Sequence, residues 1–379
     1  MIIAVNTRFL LSGKMEGFGW FTFETVSRIV RQHPEHRFIF LFDRPFDKKF
    51  IFSSNVTPVV ISPPARHPLL YRWWFGISVK KALKKYKADL FFSPDGFLCL
   101  GTDIPSVGVI HDINFEHFPD DLRFSYRNYY RKFFPLFAKK AKRIITVSQF
   151  SKNDIVSRYK IDENKIDVVY NGVSDHFVPL NALQKTEVKK KLTNGKEYFV
   201  FVGALHPRKN LARMFKAFDL FKEETGSDLK FLIVGEKYFW NREINLAYEN
   251  MKFKSELNFS GHLNREALNE AVAAAQALIF VSYFEGFGLP AVEAMKCGVP
   301  VLTSDITSLP EITADAALLI DPFSVESIKE GMKKIAVDDL LREELIKKGL
   351  QRSEDFSWQK TADGVWDSIM KCAHAEGLL

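Results

Sequence analysis

The chain of 379 residues holds only three cysteines, Cys99, Cys297 and Cys372, all far apart in sequence. Neither a zinc-ligand spacing nor a disulfide framework can be built from them, and the scarcity fits a reducing cytoplasm. No apolar run reaches the length of about 18 residues that a transmembrane helix needs. Met1-Ile-Ile-Ala-Val-Asn6 reads as a first strand rather than a basic leader, so no signal peptide is expected. No Asp-x-Asp triplet closes a predicted strand and no carboxylate or histidine pair stands at metal-ligand spacing, so no metal is expected. Low-complexity tracts and internal repeats are absent too. Phe is plentiful instead, at 36, in a composition that is 46% hydrophobic and 26% charged. That is the profile of a globular protein with large cores, and this length predicts two domains.

Charge is distributed unevenly. The net charge is +7, yet residues 1–170 carry 27 Lys and Arg against 16 Asp and Glu, while the remainder carries 26 against 30. Two acid-free stretches concentrate the excess: Arg66–Lys87 with seven basic residues and Arg123–Arg143 with eight. Aromatics interleave both, with Tyr71, Trp73, Trp74 and Phe75 in the first and Phe124, Tyr126, Tyr129, Tyr130, Phe133 and Phe134 in the second. A pair of amphipathic helices with solvated lysines would show the same pattern. Among ligand readings no nucleic-acid motif accompanies the patches, so no nucleic acid is expected. An anionic membrane surface is preferred, with Trp73-Trp74 at the headgroup boundary and the lysines against anionic lipid. The location that follows is cytoplasmic, with peripheral contact at the inner membrane face.

Short apolar runs alternate with helical patterns along the whole chain. In the first half strands run from Ile2–Asn6 to Ile166–Tyr170, and in the second from Tyr198–Gly203 to Ala317–Ile320. This alternation predicts an α/β protein of two doubly wound, Rossmann-like parallel sheets. The turn Asn171-Gly-Val-Ser174 divides them into residues 1–172 and 173–356, and a helical tail over 357–379 carries Trp358 and Trp366. Ligands of such sheets sit beyond the carboxyl ends of the strands, so the residues just after each strand are the ones to weigh.

The segment Glu285-Gly286-Phe287-Gly288-Leu289-Pro290-Ala291-Val292-Glu293 is the most informative of these. It follows the apolar run Ala277–Ser282, turns on two glycines and enters a helix at Pro290, which Gly298 closes. Exposed N–H groups at such a helix start attract phosphate, and carboxylates flanking it can accept hydrogen bonds from sugar or ribose hydroxyls. An ordinary strand-to-helix crossover with two surface glutamates has the same spacing. The wording of the segment, with Glu-Ala-Met and Cys-Gly-Val-Pro after it, resembles the retaining glycosyltransferases of family 4 (glycosyl transferases group 1). The resemblance runs from Asn6-Thr-Arg-Phe-Leu10 to Phe356-Ser-Trp358 and is strongest over Val202–Asn210, Glu285–Pro300 and Thr303–Pro322. It implies the GT-B fold, with the tail helix crossing back onto the first domain and the site in the cleft between the two.

Other strand ends then take roles from the match. After the first strand, the glycines of Gly13-Lys-Met-Glu-Gly17-Phe-Gly19 let backbone approach a ligand, and Gly17 or Gly19 falls where the family places its first glycine loop. A dinucleotide oxidoreductase with Asp43 on the ribose is the rival, but G-x3-G-x-G is not G-x-G-x-x-G. His111-Asp112 ends a strand, and the resemblance sets His111 against the transferred sugar with Asp112 in support. Arg208-Lys209 stands at a helix start with no acidic neighbour in sequence, where the helix dipole disfavours cations, so a bound phosphate would relieve the conflict. The family's Arg-Lys pair neutralises the donor diphosphate. Many members carry a further Arg where this chain has Ala204, which shifts weight onto Arg208.

The expected activity is therefore transfer of a mannose-like or glucose-like hexose from a nucleotide-diphosphate sugar to a glycan or lipid-linked acceptor, with retention. No cofactor beyond that donor substrate is implied. His111, Glu285, Arg208 and Lys209 are the expected catalytic group, and Gly17, Gly19, Gly286, Phe287, Gly288, Leu289 and Glu293 complete the donor site. A GT-B epimerase or phosphorylase, and a sugar-nucleotide-binding protein without catalysis, are the alternatives.

Overall fold

The computed structural model describes residues 1–13 and 15–379; Lys14, in the first glycine loop, lies outside the described residues. The chain divides into two compact units, Met1–Gly172 with Trp358–Leu379, and Val173–Ser357.

In the first unit β1 (Ile2–Asn6), β2 (Arg37–Phe42), β3 (Val56–Val60), β4 (Leu90–Ser93), β5 (Ser106–Val109), β6 (Arg143–Thr146) and β7 (Ile166–Val168) form one sheet in the order β3-β2-β1-β4-β5-β6-β7. Every pairing is parallel. Strands such as Arg37-Phe-Ile-Phe-Leu-Phe42 are apolar at nearly every position because helices cover both faces of a parallel sheet. The period of two sorts them: Ala4, Ile39, Leu41 and Phe91 enter one core, while Ile3, Val5, Phe38, Phe40 and Phe92 enter the other. The chain's last helix, Trp358–Ala375, belongs to the second of these cores through Trp358, Ala362, Val365 and Ile369, and its Trp366 stacks on His33 at 3.9 Å.

In the first basic stretch the chain is helical from Pro68 to Trp73, widens to a π turn over Trp74–Ser78 and continues through Val79–Lys85. Trp74 is fully buried and donates its indole N–H to the Ile61 carbonyl at 3.0 Å, while Trp73 is 56% exposed. Trp74 is a core residue, so Trp73-Trp74 is not a headgroup pair. Tyr71 and Phe75 are buried beside it, as are Tyr129 and Phe134 of the second stretch. Tyr126, Tyr130 and Phe133 pack against the same core, so eight of the ten interleaved aromatics serve it, because helical spacing sends them to the face opposite the cations.

The second unit repeats the plan with β8 (Tyr198–Val202), β9 (Lys230–Val234), β10 (Leu257–Gly261), β11 (Ala277–Phe280), β12 (Val301–Ser304) and β13 (Leu318–Ile320), ordered β10-β9-β8-β11-β12-β13. The helix Ala182–Thr193 has few apolar residues, and Asn181 and Gln184 start it with a reciprocal capping box. In both sheets the winding reverses direction once, between β1 and β4 and between β8 and β11. The carboxyl ends of those strand pairs are where a doubly wound fold opens a crevice.

Candidate active site

At the reversal in the second unit, two loops meet. The loop after β8 passes through Gly203, a short 3-10 turn Pro207–Lys209 and Asn210, whose φ of 64° lets the helix Leu211–Thr225 begin. Asn210 Nδ2 ties this turn to its neighbours by donating to the Val281 and Pro322 carbonyls at 3.0 and 2.7 Å. Gly235, at the end of β9, has no freedom to be anything else: an added Cβ would lie 1.9 Å from the Gly203 carbonyl oxygen. The loop after β11 brings Glu285 opposite this turn.

There the structure corrects one premise. Arg208 and Lys209 precede the helix rather than opening it, and they have an acidic neighbour from the other loop. Lys209 Nζ donates to Glu285 Oε1 at 2.5 Å, and Arg208 Nη1 stands 3.0 Å from Glu285 Oε2 and donates to the Phe284 carbonyl at 3.0 Å. Lys209 and Glu285 are both buried, and the Lys209 ammonium also lies 4.6 Å over the Phe280 ring. Burial alone would push the Glu285 carboxyl up, but Arg208 and Lys209 outweigh it and hold the group at about 2. Glu285 is therefore a fixed anion flanked by two cations, of which Arg208 is the more exposed.

Glu293 behaves in the opposite way. It lies on the helix Leu289–Lys296, half-buried, and burial raises its carboxyl to about 7 against a modest lowering by Arg265. It has no ion-pair partner at contact distance among the described residues, so near neutral pH it can accept or donate a hydrogen bond. The turn before it is held by Ser308, whose hydroxyl donates to the carbonyls of Glu285 and Phe287 at 2.9 and 3.1 Å. Gly288 takes φ 103°, and a Cβ there would meet Leu309 at 2.6 Å. As a phosphate cradle the helix start is narrower than the sequence predicts. Pro290 has no N–H and Ala291 gives its own to the Gly288 carbonyl at 3.0 Å, which leaves Gly288 and Leu289 as amide donors. Gly286 and Phe287 form the rest of that turn.

In the first unit, His111 stands just past β5. Its Nε2 is 2.9 Å from the Pro94 carbonyl, which can only accept, so the proton is on Nε2 and Nδ1 of the neutral ring is an acceptor. Burial lowers the ring's proton affinity, which favours that neutral form at pH 7. Phe18 and Phe21 hold the ring edge-on at 4.9 and 4.8 Å, and Asp112 caps the following turn by accepting from Asn114 N–H at 3.0 Å. The two glycines near the first strand now differ. The helix begins at Gly17, where open space surrounds the backbone, while a Cβ on Gly19 would meet the Phe9 carbonyl at 2.7 Å. Gly19 is a packing glycine.

A buried polar cluster at the β1/β4 reversal was not foreseen. Arg8 Nε donates to Asp95 at 2.6 Å, Asn6 Nδ2 donates to Asp95 at 2.8 Å and to Ser93 at 3.0 Å, and the guanidinium is enclosed by Phe9, Tyr71, Phe75 and Phe97. Its signal was available, since Asn6-Thr-Arg8 and Ser93-Pro-Asp95 both follow strands. The cluster fixes the turn whose Pro94 carbonyl orients His111. Asp43, by contrast, is held by Arg44 Nε and Nη2 at 2.6 Å and by Ala65 N–H, so it is engaged within the protein rather than set out for a ribose. Among the described residues no group of three His, Cys, Asp or Glu side chains is placed to hold a metal, and no helix is long and apolar enough to cross a membrane.

A family model described as Glycosyl transferases group 1 matches residues 184–352, and one described as Glycosyltransferase Family 4 matches residues 16–177. The chain is 29% identical over 299 residues to O-antigen chain mannosyltransferase B of Escherichia coli, across 77% of this chain and 75% of that one. Among solved structures, sucrose-phosphate synthase from Thermosynechococcus elongatus superposes with a TM-score of 0.81 at 16% identity, over 99% of each chain. HepE of Anabaena, solved in complex with UDP-glucose, gives 0.75 at 17% identity over 98% of this chain and 100% of that one. These structural likenesses speak for the fold, and the two family matches cover most of both units: the chain belongs to the group 1, family 4 glycosyltransferases and has their GT-B fold of two Rossmann-like domains.

Proposed function

We propose that this glycosyltransferase moves a hexose from a nucleotide-diphosphate sugar to a glycan or lipid-linked acceptor, with retention at the anomeric carbon and without a metal ion. The observation that carries the reading is the Arg208–Glu285–Lys209 cluster at the β8/β11 reversal, two cations and one anion held in fixed geometry. Cleavage of the sugar–phosphate bond leaves negative charge on the diphosphate and positive charge on the sugar. Arg208, the more exposed cation, meets the diphosphate, with Lys209 and the amides of Gly288 and Leu289 behind it. Glu285 holds sugar hydroxyls on the side where positive charge develops, and Glu293 takes the ribose hydroxyls. His111 accepts from a sugar hydroxyl through Nδ1. No side chain is assigned as a covalent nucleophile; the acceptor attacks on the leaving-group face, and the departing phosphate takes its proton.

The relative from Escherichia coli is named a mannosyltransferase and the Anabaena structure holds UDP-glucose, so GDP-mannose and UDP-glucose are the donors to try first. A thermal-shift panel of sugar nucleotides tests donor binding: ligand at 100 times its Kd adds about 2.7 kcal/mol of stability. Product analysis with and without acceptor separates transfer from epimerisation and phosphorolysis. An epimerised donor in the absence of acceptor would replace the transfer reading.

The basic helix of the first unit supports a further part of the proposal, peripheral contact with an anionic cytoplasmic membrane face. Leu69, Trp73 and Ile77 are exposed, and Lys80, Lys81, Lys84 and Lys85 share the same segment. Each Lys adds at most about 1 kcal/mol near such a surface. Changing the four lysines to Glu should abolish salt-sensitive vesicle co-sedimentation; equal recovery would remove the membrane contact.

A further inference from the structure

The first unit carries a second cationic feature that the transfer reaction does not use. Between the helices Phe124–Lys140 and Gln149–Tyr159 lies an open groove of about 730 Å³ lined by Arg131, Lys132, Lys139, Arg158 and Lys160, with Glu116 as its one acid. Glu116 is almost wholly buried and is shared: Arg131 Nε reaches it at 3.3 Å, Arg158 Nη2 at 3.4 Å, and the Tyr159 hydroxyl donates to its other oxygen at 3.2 Å. One carboxylate thus anchors two guanidiniums whose side chains are each nearly half exposed. Lys132, Lys139 and Lys160 are exposed and have no carboxylate partner among the described residues. Five cations against one anion leave a local excess that ordinary solvated faces avoid by interspersing acids.

We propose that this groove is a phosphate-binding site, separate from the donor site, that takes the phosphate or diphosphate group of an acceptor or of a membrane lipid. Guanidinium forks match phosphate oxygens in pairs, and a buried carboxylate that fixes both forks removes much of their ordering cost. Six of its nine lining residues carry charge, which suits a headgroup or a diphosphate rather than an acyl chain. The helix Gln149–Tyr159 starts beside His111, where Ser151 Oγ donates to the His111 carbonyl at 3.2 Å, and ends in the groove. A phosphate held there is one helix length from His111, about 16 Å at 1.5 Å per residue. Only that relation to the sugar rests on the proposed role of His111; the phosphate site stands without it.

Calorimetric titration with inorganic pyrophosphate tests it, with every chain also carrying Arg208→Ala so that the more exposed cation of the donor site stays out of the readout. The parent should bind saturably, and Arg131→Ala/Arg158→Ala should lose at least tenfold in affinity. Because that variant strips a buried Glu116 of its partners, Lys132→Ala/Lys139→Ala is the safeguard: it removes two exposed, unpaired cations from a helix and should weaken binding several-fold with thermal stability unchanged. Flotation with phosphatidylglycerol vesicles, against phosphatidylcholine, identifies the source. Loss of flotation in parallel with pyrophosphate affinity assigns a lipid headgroup, and unchanged flotation assigns a phosphate on the acceptor. Absence of saturable pyrophosphate binding in the parent, or equal affinity in the lysine variant, overturns the site.

Discussion

Lys209 Nζ and Glu285 Oε1 meet at 2.5 Å although 76 residues separate them, and both groups are buried. The consequence for mutants is that charge removal acts on binding and on turnover in opposite senses. Glu285→Gln keeps the shape of the side chain but frees both cations for an anion. Nucleoside diphosphate should therefore bind the variant at least as tightly as the parent, while transfer falls a hundredfold or more, about 3 kcal/mol of transition-state stabilisation. Weaker nucleotide binding with normal turnover would remove Glu285 from the sugar side. Glu285→Ala is a poorer probe, since stripping a buried pair of one partner costs about 3–5 kcal/mol of stability by itself.

Arg208→Ala should cut turnover by a similar factor with little loss of stability, because Arg208 is the more exposed cation and Lys209 remains to neutralise Glu285. Near-parental turnover, read beside a melting curve, would take the diphosphate away from Arg208.

Two glutamates give opposite dependences on pH. Glu285, held at about 2, contributes stability that is full above the ordinary carboxyl range near 4.5 and is lost as pH falls towards 2. Glu293, raised to about 7, favours the protonated folded form, so its effect runs the other way: stability declines as pH rises from 4.5 to 7 and is flat beyond. If ribose hydroxyls bind the carboxylate, nucleotide affinity should rise on the order of tenfold from pH 6 to pH 8, following the ionised fraction. Glu293→Gln should abolish that part of the slope for the same nucleotide. Identical slopes in parent and variant would remove the ribose role.

Gly19→Ala should lower thermal stability by about 1–3 kcal/mol, because its Cβ would press on the Phe9 carbonyl, while Gly17→Ala should leave it unchanged. Reduced transfer in Gly17→Ala at full stability would assign that position to ligand approach. A destabilised Gly17→Ala would contradict the open space seen around it.

The strand-end logic made Glu285, Arg208 and Lys209 visible in the sequence, since each follows an apolar run of strand type, and the family resemblance added His111. Their pairing was not visible. Two adjacent cations near a helix start suggested a missing phosphate, when the balancing charge comes from a loop brought close only by β8 and β11 lying side by side. The pairing of Arg8 with Asp95 was hidden for the same reason, as β1 and β4 are neighbours in the sheet and distant in the chain. Trp74 was misread because a basic, aromatic stretch does not reveal which aromatics a helix turns inward, and a π turn shifts the phase as well.

Turnover should survive EDTA, since Arg208 and Lys209 are assigned the neutralisation of the diphosphate. Loss of turnover restored by magnesium or manganese would contradict that assignment.

The most direct test of the central claim is the proton NMR spectrum of the glycoside formed from GDP-mannose or UDP-glucose, acquired beside a Glu285→Gln control. The account predicts a product with the α configuration of the donor, formed by the parent chain and reduced at least a hundredfold in the control. A β-linked product, or equal product from the control, would contradict it.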